Sequence, residues 1–235
     1  MSSINQTSWS SFFIPPVAAG AAIVPAYYGF AVKTAQQLGQ PIPKMNPLEV
    51  LKGGVKMSPT VAGLVGLQMI LQGSVEQKIQ SFVGHSPGQP ATLFETAASS
   101  SVIGTLLSPL TAIFNGQGAK QSPIQSLRNM TLKQCGAISL QETAFIMGFA
   151  ASPHINSFAK EHFGQGDAVQ YGSSFVSGAI GSLAGHASNT ALTRWQNGLT
   201  VDRATQLARG APVKAVATGV FAACYHFFKN LLNKQ

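Results

Sequence analysis

Uncharged stretches alternate with short charged segments along the chain. Residues 1–32, 57–75, 96–119, 134–159, 168–193 and 215–228 carry no Asp, Glu, Lys or Arg, except for Glu142 in the fourth stretch. Five of these stretches reach roughly the 20 residues that a helix needs to cross a hydrocarbon core. The sixth can extend backwards, because Pro212 suits a first helical turn and Lys214 can snorkel. The pattern therefore predicts six transmembrane helices.

The composition supports a membrane protein whose helices pack closely. Charged residues make up 9% of the chain, far below the roughly 25% of an ordinary soluble domain. The uncharged stretches are rich in Gly, Ala, Ser, Thr and Gln, and the mean hydropathy is only +0.18. Helices of this kind approach one another closely or line a polar cavity. We expect an all-α membrane protein that forms a single domain over residues 1–235.

The basic residues concentrate in the segments that follow the first, third and fifth predicted spans. These segments hold Lys33, Lys44, Lys52, Lys56, Lys120, Arg128, Lys133, Arg194, Arg203 and Arg209, against the acids Glu49 and Asp202. By the positive-inside tendency they face the cytosol or a mitochondrial matrix, where anionic lipid can bind them. A nucleic-acid partner is not expected, because the basic segments are interleaved with membrane spans and lack a pattern of stacking aromatics.

The sequence offers no enzyme or metal-site pattern. It contains no phosphate-binding loop, no metal-ligand spacing and no pair of acids placed for hydrolysis. Its two cysteines, Cys135 and Cys224, fall in apolar stretches, where they are expected to be small core residues. We therefore expect neither an enzyme nor a bound metal or cofactor.

Internal repetition predicts three helix-loop-helix repeats, at about residues 1–83, 84–163 and 164–235. A glycine is followed five residues later by a kink position in Gly20/Pro25, Gly104/Pro109 and Gly181/His186. Each basic loop is expected to hold a short surface helix. Asn46-Pro47 and Ser122-Pro123 provide a cap residue and a first-turn proline for two of them, and residues 201–209 give a weaker third copy.

In this layout the chain resembles the mitochondrial carrier family, whose members surround a central cavity with three such hairpins. The family motif places an acid two residues after the kink proline and a base five residues after it. Here the acid positions hold Tyr27, Thr111 and Ser188, and the base positions hold Phe30, Phe114 and Ala191. The resemblance implies gating near Pro25, Pro109 and His186. Polar and apolar contacts would replace the family's ionic ring, with Lys33 and Arg194 as the nearest bases.

Candidate solute-binding residues lie inside the spans. Glu142 and Lys214 are the ionisable residues of the spans, and such residues mark functional sites by default. Lys214 either faces the cavity or snorkels to the basic interface. Overlaying the repeats brings Gln68 and Gln141 to nearly the same face as Lys214. Glu142 lies roughly 100° around the helix from Gln141, so it faces either the cavity or a neighbouring helix.

These residues and the family resemblance imply a monomeric transporter of a small polar or anionic metabolite in the mitochondrial inner membrane. Lys214 would attract the anion, Gln68 and Gln141 would donate hydrogen bonds, and Glu142 would set charge selectivity or take up a proton. The alternative is a carrier fold that no longer transports. Such a protein would serve as a scaffold, insertase or docking protein of the outer mitochondrial membrane, and the loss of the ionic ring favours it.

Overall fold

The computed structural model describes residues 9–84, 92–150 and 152–233, and within this part of the chain it contains helices and no β-strand. An all-helical fold is thereby confirmed. The helices are α1 (Trp9–Leu38), α2 (Pro47–Val83), α3 (Leu93–Gly118), α4 (Pro123–Arg128), α5 (Leu132–Ala150), α6 (Ser152–Phe163), α7 (Asp167–Ala184), α8 (His186–Gln196) and α9 (Ala211–Asn233), with a 3-10 helix at Ala204–Ala208.

The long helices form three pairs, and the pairs close into a ring. Helix α1 packs against α2, α3 against α5, and α7 against α9, while α2–α3, α5–α7 and α9–α1 contacts join one pair to the next. Each pair lies within one of the predicted sequence units. We call the connections at residues 39–46, 119–131 and 197–210 the elbows. They lie at one end of the ring, because Asn189 of α8 bonds to the C-terminal parts of both α1 and α3.

Small residues bring neighbouring helices into close contact. A Cβ atom added to Gly104 of α3 would lie 2.9 Å from the Cβ of Glu142 on α5. A Cβ atom added to Gly29 of α1 would lie 2.7 Å from the Cβ of Ala217 on α9. Both distances are shorter than a carbon–carbon contact, so glycine sets the helix separation in one pair and at the α9–α1 contact that closes the ring.

A short surface helix was predicted in each of the three loops. The structure agrees with this prediction in one loop and differs from it in the other two. Helix α4 is short and begins after the cap residue Ser122, as predicted. Asn46 also caps a helix, through a capping box with Glu49, but that helix is α2, which continues to Val83. The first turns of α2 stay on α1 because Gly53 and Gly54 allow close packing against it. The third loop contains only the 3-10 helix.

One uncharged stretch contains two helices. Residues 168–193 are divided between α7 and α8. The interruption falls at Gly185, directly before His186, where the backbone approaches α5 and an added Cβ atom would lie 2.9 Å from Gln141 O. Around Pro25 and Pro109, by contrast, α1 and α3 are continuous helices.

Two of the described helices are long and apolar enough to cross a membrane, over Phe12–Leu38 and Phe94–Gly118. This finding gives weak support for membrane association, since a buried core helix of a soluble protein meets the same criterion. The prediction of six such helices is therefore met for two. The other described helices do not meet the same criterion of length, mean hydropathy and charge.

Helix α7 has the polar and apolar faces inverted relative to a helix of a soluble bundle. On α7 the serines Ser173, Ser177 and Ser182 are buried, whereas Val176 and Ile180 are exposed. Soluble bundles place the apolar stripe of each helix inward. In this helix the apolar stripe faces outward, and small polar residues form the interior contacts.

Candidate functional site

The ring of helices surrounds a partly open cavity, in which the empty space, together with the solvent at its mouth, is about 890 Å³. All six ring helices contribute to its lining, and so does α8. Most of the lining is apolar, with Ile23, Val61, Leu64, Leu107 and Phe221 among its residues. Its polar and charged residues are Lys33, Gln68, Thr111, Asn115, Gln141, Glu142, Ser182, Asn189, Lys214 and Thr218.

The predicted binding residues Lys214, Glu142, Gln141 and Gln68 all line this cavity. Lys214 is buried, with 7% of its surface exposed, and no described residue accepts a hydrogen bond from its ammonium group. Glu142 reaches the cavity, and its Oε1 accepts a hydrogen bond of 3.1 Å from Gln141 Nε2. Lys214 could have snorkelled to the basic interface, and Glu142 could have faced a neighbouring helix. In the structure both residues lie on the cavity wall.

Asn189, which sequence reasoning missed, joins four other side chains at the elbow end of the cavity. Its Oδ1 accepts hydrogen bonds from Lys33 Nζ (3.1 Å) and Gln37 Nε2 (3.1 Å). Its Nδ2 donates to Asn115 Oδ1 (3.0 Å) and Gln141 Oε1 (2.7 Å). We call these five residues the amide hub. It ties α8 to α1, α3 and α5 through neutral amides and one lysine.

A sequence signal for the amide hub was available. Asn115 and Asn189 are asparagines inside uncharged stretches that were predicted to cross a membrane. An amide in such a stretch needs a partner on a neighbouring helix, because hydrocarbon supplies none. That argument singles out both asparagines but does not say which helix provides the partner.

An aromatic contact lies at two of the positions where the carrier motif places bases. The rings of Phe30 and Phe114 meet edge to face with centroids 5.9 Å apart, and both line the cavity. Such a pair contributes about 0.5–1.5 kcal/mol beyond its burial. Apolar packing and the amide hub together occupy the end of the cavity that the family resemblance assigns to gating.

The other predicted gating residues lie away from the cavity lining. Arg194 bonds to the carbonyl oxygens of Gln37 and Thr200, at 3.2 and 2.9 Å. His186 Nε2 lies 3.0 Å from Arg209 O. These bonds tie α8 to the end of α1 and to the third elbow. Pro25 and Pro109 are exposed, so of the predicted gating set only Lys33 lines the cavity.

The charges at the cavity are two lysines and one glutamate. They are Lys33 of α1, Lys214 of α9 and Glu142 of α5. Thr111 adds a hydroxyl group that is buried and has no hydrogen-bond partner among the described residues. Within the same part of the chain, no group of three or more His, Cys, Asp and Glu side chains is placed to hold a metal ion. The arrangement can therefore bind an anion through ammonium and hydroxyl donors.

No protein-family model matches this chain, and no curated protein matches it. The resemblance to the mitochondrial carriers therefore stays a prediction. The ring of helices, its exposed apolar side chains and the cavity are the features that bear on function.

Proposed function

We propose that the chain is a membrane transporter that carries a small anionic solute through the central cavity. In this proposal the six long helical elements of the ring cross the bilayer as three related units, with all three elbows on one leaflet. The mitochondrial inner membrane is the proposed location, by resemblance to the carriers. The observation that carries the proposal is the buried Lys214, whose ammonium group faces a cavity lined by every helix of the ring.

The apolar side chains on the outside of the helices support a position in a bilayer. Large apolar side chains such as Val102, Leu106, Val176 and Ile180 are exposed, while serines and threonines are buried between the helices. Lipid accepts an apolar outer surface, whereas water penalises large contiguous apolar patches. The exposed Lys44, Lys52 and Arg203 near the elbows are suited to anionic headgroups.

Transport requires that the elbow end open. Opening must break the contacts that hold this end closed. The amide hub holds α8 against α1, α3 and α5. Lys33, Asn115, Gln141 and Asn189 also line the cavity, so a solute that reaches them competes for the same hydrogen bonds. A solute with higher affinity for the open arrangement would shift the population towards it.

The test is uptake into liposomes that contain the purified chain, with a panel of small carboxylates, phosphates and nucleotides. We expect saturable uptake of an anion, reduced about tenfold or more by Lys214→Met, since loss of a charged partner costs at least about 1.4 kcal/mol. Lys44→Met, which removes an exposed elbow lysine, is the matched control and should transport normally. Equal uptake by Lys214→Met and Lys44→Met would contradict the role of the cavity lysine.

A second candidate is a carrier fold that no longer transports and acts as a scaffold, insertase or docking protein of the outer mitochondrial membrane. The bonds of Arg194 and Gln196 to main-chain carbonyls at the elbow end favour it, because they make that end a fixed structural contact rather than a ring of reversible ion pairs. Absence of uptake across the whole panel, with the protein folded in the liposomes, would favour this candidate.

A further inference from the structure

We infer that the cavity takes a monovalent carboxylate with an apolar body, in preference to a dianion or an uncharged solute. This inference rests on the proposed function, because it names the solute class of the same cavity. Three features of the cavity support it, namely its charges, its apolar lining and one hydroxyl group without a partner.

The charges of the cavity favour a single negative charge. Lys33 and Lys214 provide two positive charges, and Glu142 provides one negative charge. With both lysines protonated and Glu142 ionised, the lining carries an excess of one positive charge. If one lysine gave its proton to Glu142, the excess would be unchanged. Burying an unbalanced charge in a cavity of low dielectric is costly. A monoanion neutralises the site, whereas a dianion leaves one negative charge uncompensated.

The lining favours an apolar body. Ile23, Val61, Leu64 and Leu107 lie on the cavity wall with the rings of Phe30, Phe114, Phe145 and Phe221. These side chains offer no hydrogen bonds, so hydroxylated or phosphorylated groups against them would be desolvated without compensation. An alkyl or aryl chain gains binding free energy in proportion to the apolar surface that it buries there.

Thr111 offers a hydroxyl donor for the carboxylate. The residue is 2% exposed and lines the cavity, and its buried hydroxyl oxygen has no partner among the described residues. A buried hydroxyl group without a partner is costly, and a carboxylate oxygen would accept its hydrogen bond. The Lys214 ammonium group, which donates to no described residue, would pair with the same carboxylate.

The experiment compares three probes of equal chain length, namely hexanoate, adipate and hexanamide. Thermal unfolding of the purified full chain is followed in neutral detergent at constant ionic strength. We expect hexanoate to raise the Tm, with adipate and hexanamide each binding about tenfold more weakly. Lys214→Met should abolish the effect of hexanoate, and Thr111→Val should weaken it.

Glu142→Gln gives the sharpest outcome, because it raises the excess to two positive charges. This variant should bind adipate more tightly than hexanoate and so reverse the order of the probes. Glu161→Gln makes the same substitution at an exposed position of α6 and should keep the original order.

Stabilisation by all three probes alike, or an unchanged order in Glu142→Gln, would overturn the inference. Selective binding of hexanoate without liposome uptake of any carboxylate would support the site and count against transport. Uptake of other anions without binding of hexanoate would support transport and count against the solute class.

Discussion

Replacement of Asn189 by leucine tests whether the amide hub holds the elbow end closed. Asn189 is 2% exposed, and leucine has nearly the same size but makes none of its four side-chain hydrogen bonds. Interhelical hydrogen bonds in membranes contribute about 0.6 kcal/mol each, and soluble-protein series give about 1 kcal/mol. The four bonds together therefore favour the closed end by about 2 to 4 kcal/mol, or about 30-fold to 900-fold.

A buried cysteine reports on this opening. Thr193 on α8 is 1% exposed, and its hydroxyl group donates only to Asn189 O on its own helix. In a Cys135→Ser, Cys224→Ser background, Thr193→Cys should react with a polar maleimide about 30-fold faster or more when Asn189 is leucine. Asn129→Leu, at an exposed position between α4 and α5, should leave the rate unchanged.

Asn189→Asp is a milder second variant, which tests the same bonds if the leucine variant unfolds. The aspartate keeps an acceptor for Lys33 and Gln37 but loses the donor to Asn115 and Gln141, so an intermediate labelling rate is expected. Circular dichroism of each variant confirms that the helices are present. A labelling rate for folded Asn189→Leu within about twofold of the Asn129→Leu rate would refute the reasoning, since about 30-fold is the smallest change expected.

Two further predictions concern helix packing and helix capping. Gly104→Ala should lower the free energy of unfolding in detergent by about 1 to 3 kcal/mol, because the added Cβ atom would lie 2.9 Å from Glu142 Cβ. Gly136→Ala, where a Cβ atom meets nothing within 4 Å, should instead stabilise the protein by up to about 1 kcal/mol. Asn46→Ala should cost about 0.5 to 2 kcal/mol of stability, because Asn46 Oδ1 accepts from the Glu49 amide in the capping box. Glu49→Gln keeps the side-chain acceptor and should cost less.

Much of the helix order was predictable, because charge exclusion marks where helices can pack or cross a membrane. The interruption at Gly185 was not, since it depends on the approach of α7 to α5. The long α2 was not predicted either. The capping signal at Asn46 was correctly identified, but the sequence does not say how far a helix continues once Gly53 and Gly54 let it pack on α1.

The candidate site was predictable where helical periodicity decides it. Overlaying the repeats places Gln68 and Gln141 on nearly the same face as Lys214, and all three line the cavity. The amide hub was not predicted, because Asn189 finds its partners on three other helices. Such partners depend on the closure of the ring, which no local pattern encodes.

The most direct test of the central claim is the sidedness of single cysteines in sealed vesicles. Lys44→Cys, Gln125→Cys and Arg203→Cys place an exposed cysteine near each elbow, and Ser81→Cys and Gln165→Cys place one at the opposite end of the ring. We expect a membrane-impermeant maleimide to label all three elbow cysteines from one side and the other two from the opposite side. Elbow cysteines labelled from different sides, or a chain that stays monomeric in buffer without detergent or lipid, would contradict the account.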